Sequence, residues 1–421
     1  MVNKKIKTLS LSTLVIGCLV AACACRDEGN DEPIVQEDGN PIDTPLLPPV
    51  ETNPPNTNYQ PAFEGQTRVG GVETQTQISI TEFASGLNNP WGMANLPDGR
   101  IIVTEKGGNF KIVDQSGNLS AAIGGLPAVN SSGQGGLLDV AVHPDFNNNR
   151  LLYWTFSQNG SGGTATAVAK GQLSNDESQI LNAQVIFTAL PEFNGSNHYG
   201  SRIVWDANDN LFISTGERSS ASIRDEAQEL DAALGKILHI DTNGNAVAGN
   251  PFIVQANALD EIYSYGHRNP QGMDRHPVTG ELWAVEHGPR GGDEVNLIEA
   301  GKNYGWPVIT YGIEYGGSPV GAGITQQSGM EQPIYYWDPS IAPCGASFYS
   351  GSLISEWTNN FFVTALAGQH LIRLVIQGNR VVGEERLLEG VSRFRDVLEG
   401  TDGALYVIES GSNAKMHRIG I

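Results

Sequence analysis

The chain has 421 residues, with 46 Asp and Glu against 25 Lys and Arg and a formal net charge of −21. That acidity argues against nucleic acid or an anionic membrane surface as the main partner, since both repel a strongly negative protein. Of the four cysteines, Cys18, Cys23 and Cys25 belong to the leader and only Cys344 remains for the body. An internal disulfide and a Cys-based metal site are thereby excluded.

In chain order, Lys4, Lys5 and Lys7 precede an apolar run from Leu9 to Val20, then Ala21-Ala22-Cys23. A positive start, a short apolar stretch and small residues describe an export signal, too short to span a membrane. Its ending resembles a bacterial lipobox, which implies a signal over residues 1–22, cleavage before Cys23 and a lipid on that thiol. The expected location is the cell envelope, on the outer membrane or a periplasmic face, because Ala24 offers no inner-membrane retention signal. From Arg26 to Val72 there are nine Asp and Glu, two Arg and eight Pro, with few large apolar residues. Such a segment buries too little surface to fold by itself, so residues 23–72 are expected to be a disordered tether.

Residues 73–421 repeat one pattern: an apolar strand, an Asp/Asn/Gly turn and a second apolar strand. Copies begin at Trp91, Leu138, Arg202, Gly272, Ala346 and Arg395. The "D-G" and "N-D-N" turns between β-rich runs are hairpin signals. Six unequal copies predict an all-β, six-bladed β-propeller with long loops between some blades. One helix is expected, over Arg224 to Leu234, where Ala227, Leu230 and Leu234 share a face.

The stretch Glu261 to Pro307 is the densest in unusual residues. Arg268 and Asn269 precede Pro270, which disfavours helix there. Glu286-His287-Gly288-Pro289 follows a strand-like run, and Arg290-Gly-Gly-Asp-Glu294 sets charge beside glycines that permit close backbone approach. In a propeller one loop from each blade reaches the central mouth. A site there draws on distant residues, and Gln134, His198, Arg268, Asn269, Arg393 and Arg395 are candidates. Arg393 and Arg395 flank Phe394, so on a strand both arginines point to one side. His267, His276 and His287 lack the spacing of a helix-borne zinc pair. No glycine-rich nucleotide loop follows a strand–helix pattern, which argues against a nicotinamide enzyme.

GQGGLLDVAVHPDF, NHYGSR, EIYSYGHRNPQG, EHGPRGGDEVNL, KNYGWP and SRFRDV together resemble the soluble quinoprotein sugar dehydrogenases, the pyrroloquinoline quinone (PQQ)-dependent aldose and glucose dehydrogenases, over about Gly86 to Gly420. The resemblance implies oxidation of the C1 hydroxyl of an aldose to a lactone, with PQQ and Ca2+ as cofactors and an external electron acceptor. It implies His198 as general base, Arg268 beside quinone and substrate, and Glu217 orienting the base. Cofactor contacts are implied at Gln134, Asn269, Tyr315, Ala365, Leu366, Ala367, Arg393, Phe394 and Arg395. Carbonyls of Gly288 and Pro289 are implied to hold Ca2+ against the quinone, and Glu294 with the Tyr304 carbonyl a second ion. Bottom-up chemistry agrees in part: imidazole titrates near neutrality, and guanidinium forks suit the carboxylates of a tricarboxylic quinone.

One departure stands out. Ala367 occupies the place where the family usually carries a quinone-binding lysine, and Gln369 or His370 are the nearest polar side chains that could compensate. Losing one charge-assisted contact costs about 1.5–3 kcal/mol, so weaker quinone binding is expected. Two other readings stand beside the dehydrogenase. A calcium-dependent lactonase-like propeller would have no use for the Arg393/Arg395 pair. A non-catalytic propeller that has lost tight quinone binding finds its support in Ala367. The stretch Tyr311 to Gly323 is expected to be a substrate loop.

Overall fold

The computed structural model describes residues 46–421, which form six antiparallel sheets set in a ring, the propeller expected. Each repeat start identified in the sequence lies in or beside the innermost strand of one blade. These strands are Pro90–Asn95, Leu137–Val142, Ile203–Trp205, Pro270–Arg275, Pro343–Phe348 and Phe394–Glu399, for blades one to six. Blade one has three strands, its outer edge covered by bridges from Leu119 and Ile123; the others have four. The ring closes where Ser79–Leu87 pairs antiparallel with Ala414–Gly420, so blade six takes its outermost strand from the start of the body.

The core lies between blades. Trp283 and Val295 of blade four pack against Phe348, Phe361 and Val363 of blade five. Ile102 and Phe110 of blade one meet Trp154 and Phe156 of blade two. No sheet buries its faces alone, so each blade depends on its neighbours. In the channel, Arg202 spans to Asp139 at 2.9 Å and to Asp396 at 3.1 Å, tying blades two, three and six beneath Trp91.

Two expectations are corrected. The helix over Arg224 to Leu234 is a single 3-10 turn, Arg224–Ala227. Lys236, fully buried, donates its ammonium hydrogens to the carbonyls of Glu226, Ala227 and Leu234, which a continued helix would need. The expected tether is ordered from residue 46 onward. Asn56 and Thr57 donate backbone and side-chain hydrogen bonds to the buried Asp338 carboxylate, and Arg68 donates to the carbonyls of Glu51, Asn53 and Asp338. Val69 and Val72 are buried, and Glu51 pairs with Arg386 at 2.8 Å. A polar strap thus holds by hydrogen bonds what it lacks in apolar area. The signal over residues 1–22, the lipid site Cys23 and the tether up to residue 45 lie outside the described residues.

Candidate active site

In an antiparallel blade, the edge where the inner strand begins is the edge where the second strand ends. His198, Arg268, Asn269, Gln134 and Arg393 all precede inner strands. Glu217 follows the second strand of blade three, Leu211–Ser214, and Gly288 and Pro289 follow that of blade four, Leu282–Glu286. Topology therefore puts them on one rim around one mouth.

The loops are stitched across blades. Gln134 Oε1 accepts the His198 amide at 2.8 Å, Asn269 Oδ1 accepts the Gly200 amide at 3.0 Å, and the Arg268 carbonyl accepts the Glu217 amide at 3.0 Å. His198 takes a left-handed backbone conformation (φ 49°) that is costly for a residue with a side chain and is held by these bonds. Gly216 is required beside it: a Cβ there would lie 2.3 Å from the His198 carbonyl oxygen.

His198 is 5% exposed and its Nδ1 lies 3.0 Å from Glu217 Oε1. The anionic partner fixes a proton on Nδ1 and leaves the Nε2 lone pair as base. Burial first, then the Arg268 charge, lowers the pKa of His198, while Glu217 opposes them. The imidazole is therefore neutral and able to accept a proton at neutral pH. The second Glu217 oxygen takes a short hydrogen bond from the Ser219 amide.

Arg268 lies over Trp306 at 5.0 Å and donates Nη1 to the carbonyls of His287 (3.0 Å) and Gly288 (2.7 Å). Its Nε, 3.9 Å from Glu217 Oε1, has no hydrogen-bond partner, nor does Asn269 Nδ2. Two buried donors without partners on one rim imply a ligand that supplies acceptors. Arg395 donates to Gln271 Oε1 at 3.1 Å, and Arg393 is exposed.

Not every proposed contact reaches this cluster through its side chain. Phe394 is fully buried among Tyr349, Trp357 and Val407, and the strand bulges at the next residue, Arg395. Ala365 lies in the core between blades four and five and Leu366 is buried, so only Ala367, exposed at the hairpin tip, faces outward. Tyr315 is 71% exposed on the blade-four insertion, next to Glu314, which pairs with Arg224 at 2.6 Å. His370 cannot take the place of the absent lysine. It is buried toward Arg386 and Glu51, and burial with the Arg386 charge lowers its pKa to about 3. The Tyr311 to Gly323 loop is fixed at its base, where Tyr311 stacks on Tyr336 at 4.0 Å, and Ile313 bridges to Arg290.

The metal candidates Gly288, Glu294 and Tyr304 line one small cavity, and Pro289 follows Gly288. The Gly288 carbonyl is shared with Arg268, and the Pro289 carbonyl accepts from Ser340 Oγ at 3.3 Å. Both are hard oxygen donors at the mouth. Glu294 and Tyr304 line a small cavity of about 10 Å3, room for one water-sized occupant, together with Arg268, Glu286, Gly288 and Trp306. Burial and the neighbouring Glu286 raise the pKa of Glu294 well above the usual range, and Asn296 Oδ1 nearby is buried without a partner. A cation would relieve both. Among the described residues, no group of three or more His, Cys, Asp or Glu is gathered as a metal site.

Sequence reading passed over His287 as a site residue. It is half-buried, 3.9 Å from Cys344, and its pKa is pushed well below the ordinary value by burial and by His198, Arg268 and Arg395. Its place directly after the second strand of blade four was the available signal.

The propeller's rim thus gathers a carboxylate-anchored imidazole, several guanidiniums and two unpartnered N–H donors around one mouth, groups able to take up a proton and to hold an acceptor-rich ligand. The chain belongs to the Glucose / Sorbosone dehydrogenase family, whose model matches residues 87–418. It is 38% identical over 346 residues to aldose sugar dehydrogenase YliI of Escherichia coli, covering 81% of this chain and 92% of that protein. Among solved structures, a glucose dehydrogenase matches with TM-score 0.79 and 40% identity, over 82% of this chain and 99% of its own. The PQQ-bound form of an aldose sugar dehydrogenase from Streptomyces coelicolor matches with TM-score 0.68 and 27% identity, over 83% and 99%.

Proposed function

We propose that this chain is a PQQ- and Ca2+-dependent aldose dehydrogenase that oxidises the C1 hydroxyl of a sugar to the lactone. The coarser statement, an oxidoreductase of the sugar dehydrogenase class, follows from family membership and from relatives of that activity. The observation that carries the finer reading is the buried His198–Glu217 pair set against Arg268, whose Nε is unpartnered.

His198 Nε2 takes the proton from the C1 hydroxyl, and Glu217 stabilises the imidazolium that results. A positioned base of this kind contributes on the order of a hundredfold to ten-thousandfold. The unpartnered N–H groups of Arg268 and Asn269 would donate to oxygens of the ligand. Arg393, exposed, and Arg395, half-buried against Gln271, would take carboxylates, and Gln134 holds the backbone of the base. A bound quinone would supply the two-electron acceptor for the C1 hydride, with Ca2+ as the Lewis acid that polarises it. The Gly288 and Pro289 carbonyls would hold that ion, and Glu294 with the Tyr304 carbonyl a second, structural one.

In the cell the same reading has the chain exported and held to the envelope by a lipid on Cys23, passing electrons to an external acceptor. Its test is titration of the apo-protein with PQQ and Ca2+, read by dye reduction with a panel of aldoses. Reduction that saturates with cofactor is expected, and no reduction at saturating cofactor overturns the reading.

A further inference from the structure

Lys106 directly follows the second strand of blade one, Ile101–Glu105, and so stands on the same rim as His198. Its Nζ donates to the Gly133 carbonyl at 2.5 Å. Gly133 opens the loop whose Gln134 side chain holds the His198 amide. One of the three ammonium hydrogens is thus engaged and two remain. Burial, then the positive charge of Arg395, holds Lys106 below the usual lysine range, which places the blade-six guanidinium within electrostatic reach.

Among the described residues none of Lys106, Arg393 and Arg395 forms an ion pair, although the chain carries 46 acidic against 25 basic residues. Gathering cations without a counter-charge raises free energy unless an anion comes to them. We propose that Lys106, Arg393 and Arg395 form a carboxylate-binding arc for the acid groups of the quinone. In it, Lys106 supplies from blade one the point charge that Ala367 omits on blade five. Blades five and one flank blade six on either side, so the arginine pair keeps a cationic neighbour, moved across it. Three cations match a tricarboxylate, whereas a sugar acid brings one carboxylate. This inference rests on the quinone reading above.

The test measures PQQ affinity of the apo-protein in Ca2+ directly, by quenching of tryptophan fluorescence, with no turnover needed. Lys106→Gln is expected to weaken binding tenfold to a hundredfold, the loss of one charge-assisted contact. It should also flatten the dependence of affinity on salt, while Lys106→Arg retains most of both. With the quinone trimethyl ester, wild type and Lys106→Gln should bind alike. Lys111→Gln, on the same blade and bonded to the Ser120 carbonyl, is the control and should match wild type. If wild type does not bind the quinone, the functional reading and the arc both fall. If wild type binds and Lys106→Gln equals it, only the arc is overturned. An unchanged quinone affinity with a raised KM confined to uronic acids would assign Lys106 to the substrate instead and also overturn it.

Discussion

Replacing Glu217 by Gln tests the catalytic geometry without altering its shape. Glu217 Oε1 sits 3.0 Å from His198 Nδ1, and both residues are nearly solvent-free. The carboxylate fixes the protonated nitrogen and opposes the burial and Arg268 charge that depress the His198 pKa. A Gln can present its NH2 to Nδ1 and so favour the tautomer with the proton on Nε2, which removes the base. In a comparable buried carboxylate–imidazole pair this tautomer error costs about 10⁴ in kcat. Here a fall of 10² to 10⁴ in kcat is expected, about 3–5 kcal/mol. KM for the aldose and PQQ affinity should stay within about threefold, because Glu217 touches neither ligand directly. The residual activity should also titrate at lower pH, since the term that raises the His198 pKa is gone. Steady-state dye reduction across pH 5 to 9, with PQQ binding measured separately, reads all three. A kcat within threefold of wild type at saturating quinone would refute the role of the pair.

Three further outcomes follow from other parts of the structure. Asp338→Ala removes the buried carboxylate that accepts four hydrogen bonds from Asn56 and Thr57; a loss of about 2–4 kcal/mol in denaturant unfolding and faster protease cleavage within residues 46–72 are expected, and an unchanged cleavage pattern would contradict the strap. His370 has neither ring nitrogen partnered and a pKa lowered to about 3 in the fold against 6.5 as the ordinary value. Its stability contribution is therefore lost as pH falls from about 6.5 toward 3, where the unfolded chain binds the extra proton, so His370→Phe should stabilise by about 1–3 kcal/mol at pH 7 and by more at pH 4, whereas a gain that does not grow at low pH would count against it. Glu294, raised by burial and Glu286, is protonated in the fold while the unfolded side chain ionises above its ordinary value of 4.5, so without a cation stability falls as pH rises past that point. Glu294→Gln should leave the calcium-free protein at least as stable at pH 8, yet abolish the added stability, about 2.7 kcal/mol at a hundred times Kd, that Ca2+ gives wild type.

The inner hairpins were legible because each joins apolar runs of the right length through a turn signal, as in Leu96-Pro-Asp-Gly99 between Pro90–Asn95 and Ile101–Glu105. The closing strand Ser79–Leu87 was not. It sits at a sheet edge with most side chains exposed, so its sequence has no sustained apolar alternation. The strap was read as tether for a related reason: its anchor, Asp338, is 282 residues from Asn56 and invisible to local composition. The rim was legible where chemistry needs a rare residue in a glycine or asparagine setting, as at His198 and Arg268. It was less legible where a family contact falls on a strand, because Phe394 turns its side chain into the core just before the bulge at Arg395. Lys106 escaped notice because Glu-Lys-Gly-Gly reads as an ordinary hairpin turn.

The ring explains why such a site tolerates rearrangement. Each blade delivers its contacts at the same height, set by the start of an inner strand or the end of a second one. A charge dropped from one blade can therefore be replaced from another, provided it reaches the same mouth. Lys106 and Ala367 lie one and two residues past a second strand, on the two blades that flank Arg393 and Arg395. His198 lacks that freedom. Its tautomer depends on Glu217 of the same blade, its backbone on Gln134 of the blade before and its pKa on Arg268 of the blade after. The proposed base is thus fixed by three loops at once, whereas the charges of the proposed arc need only share its rim.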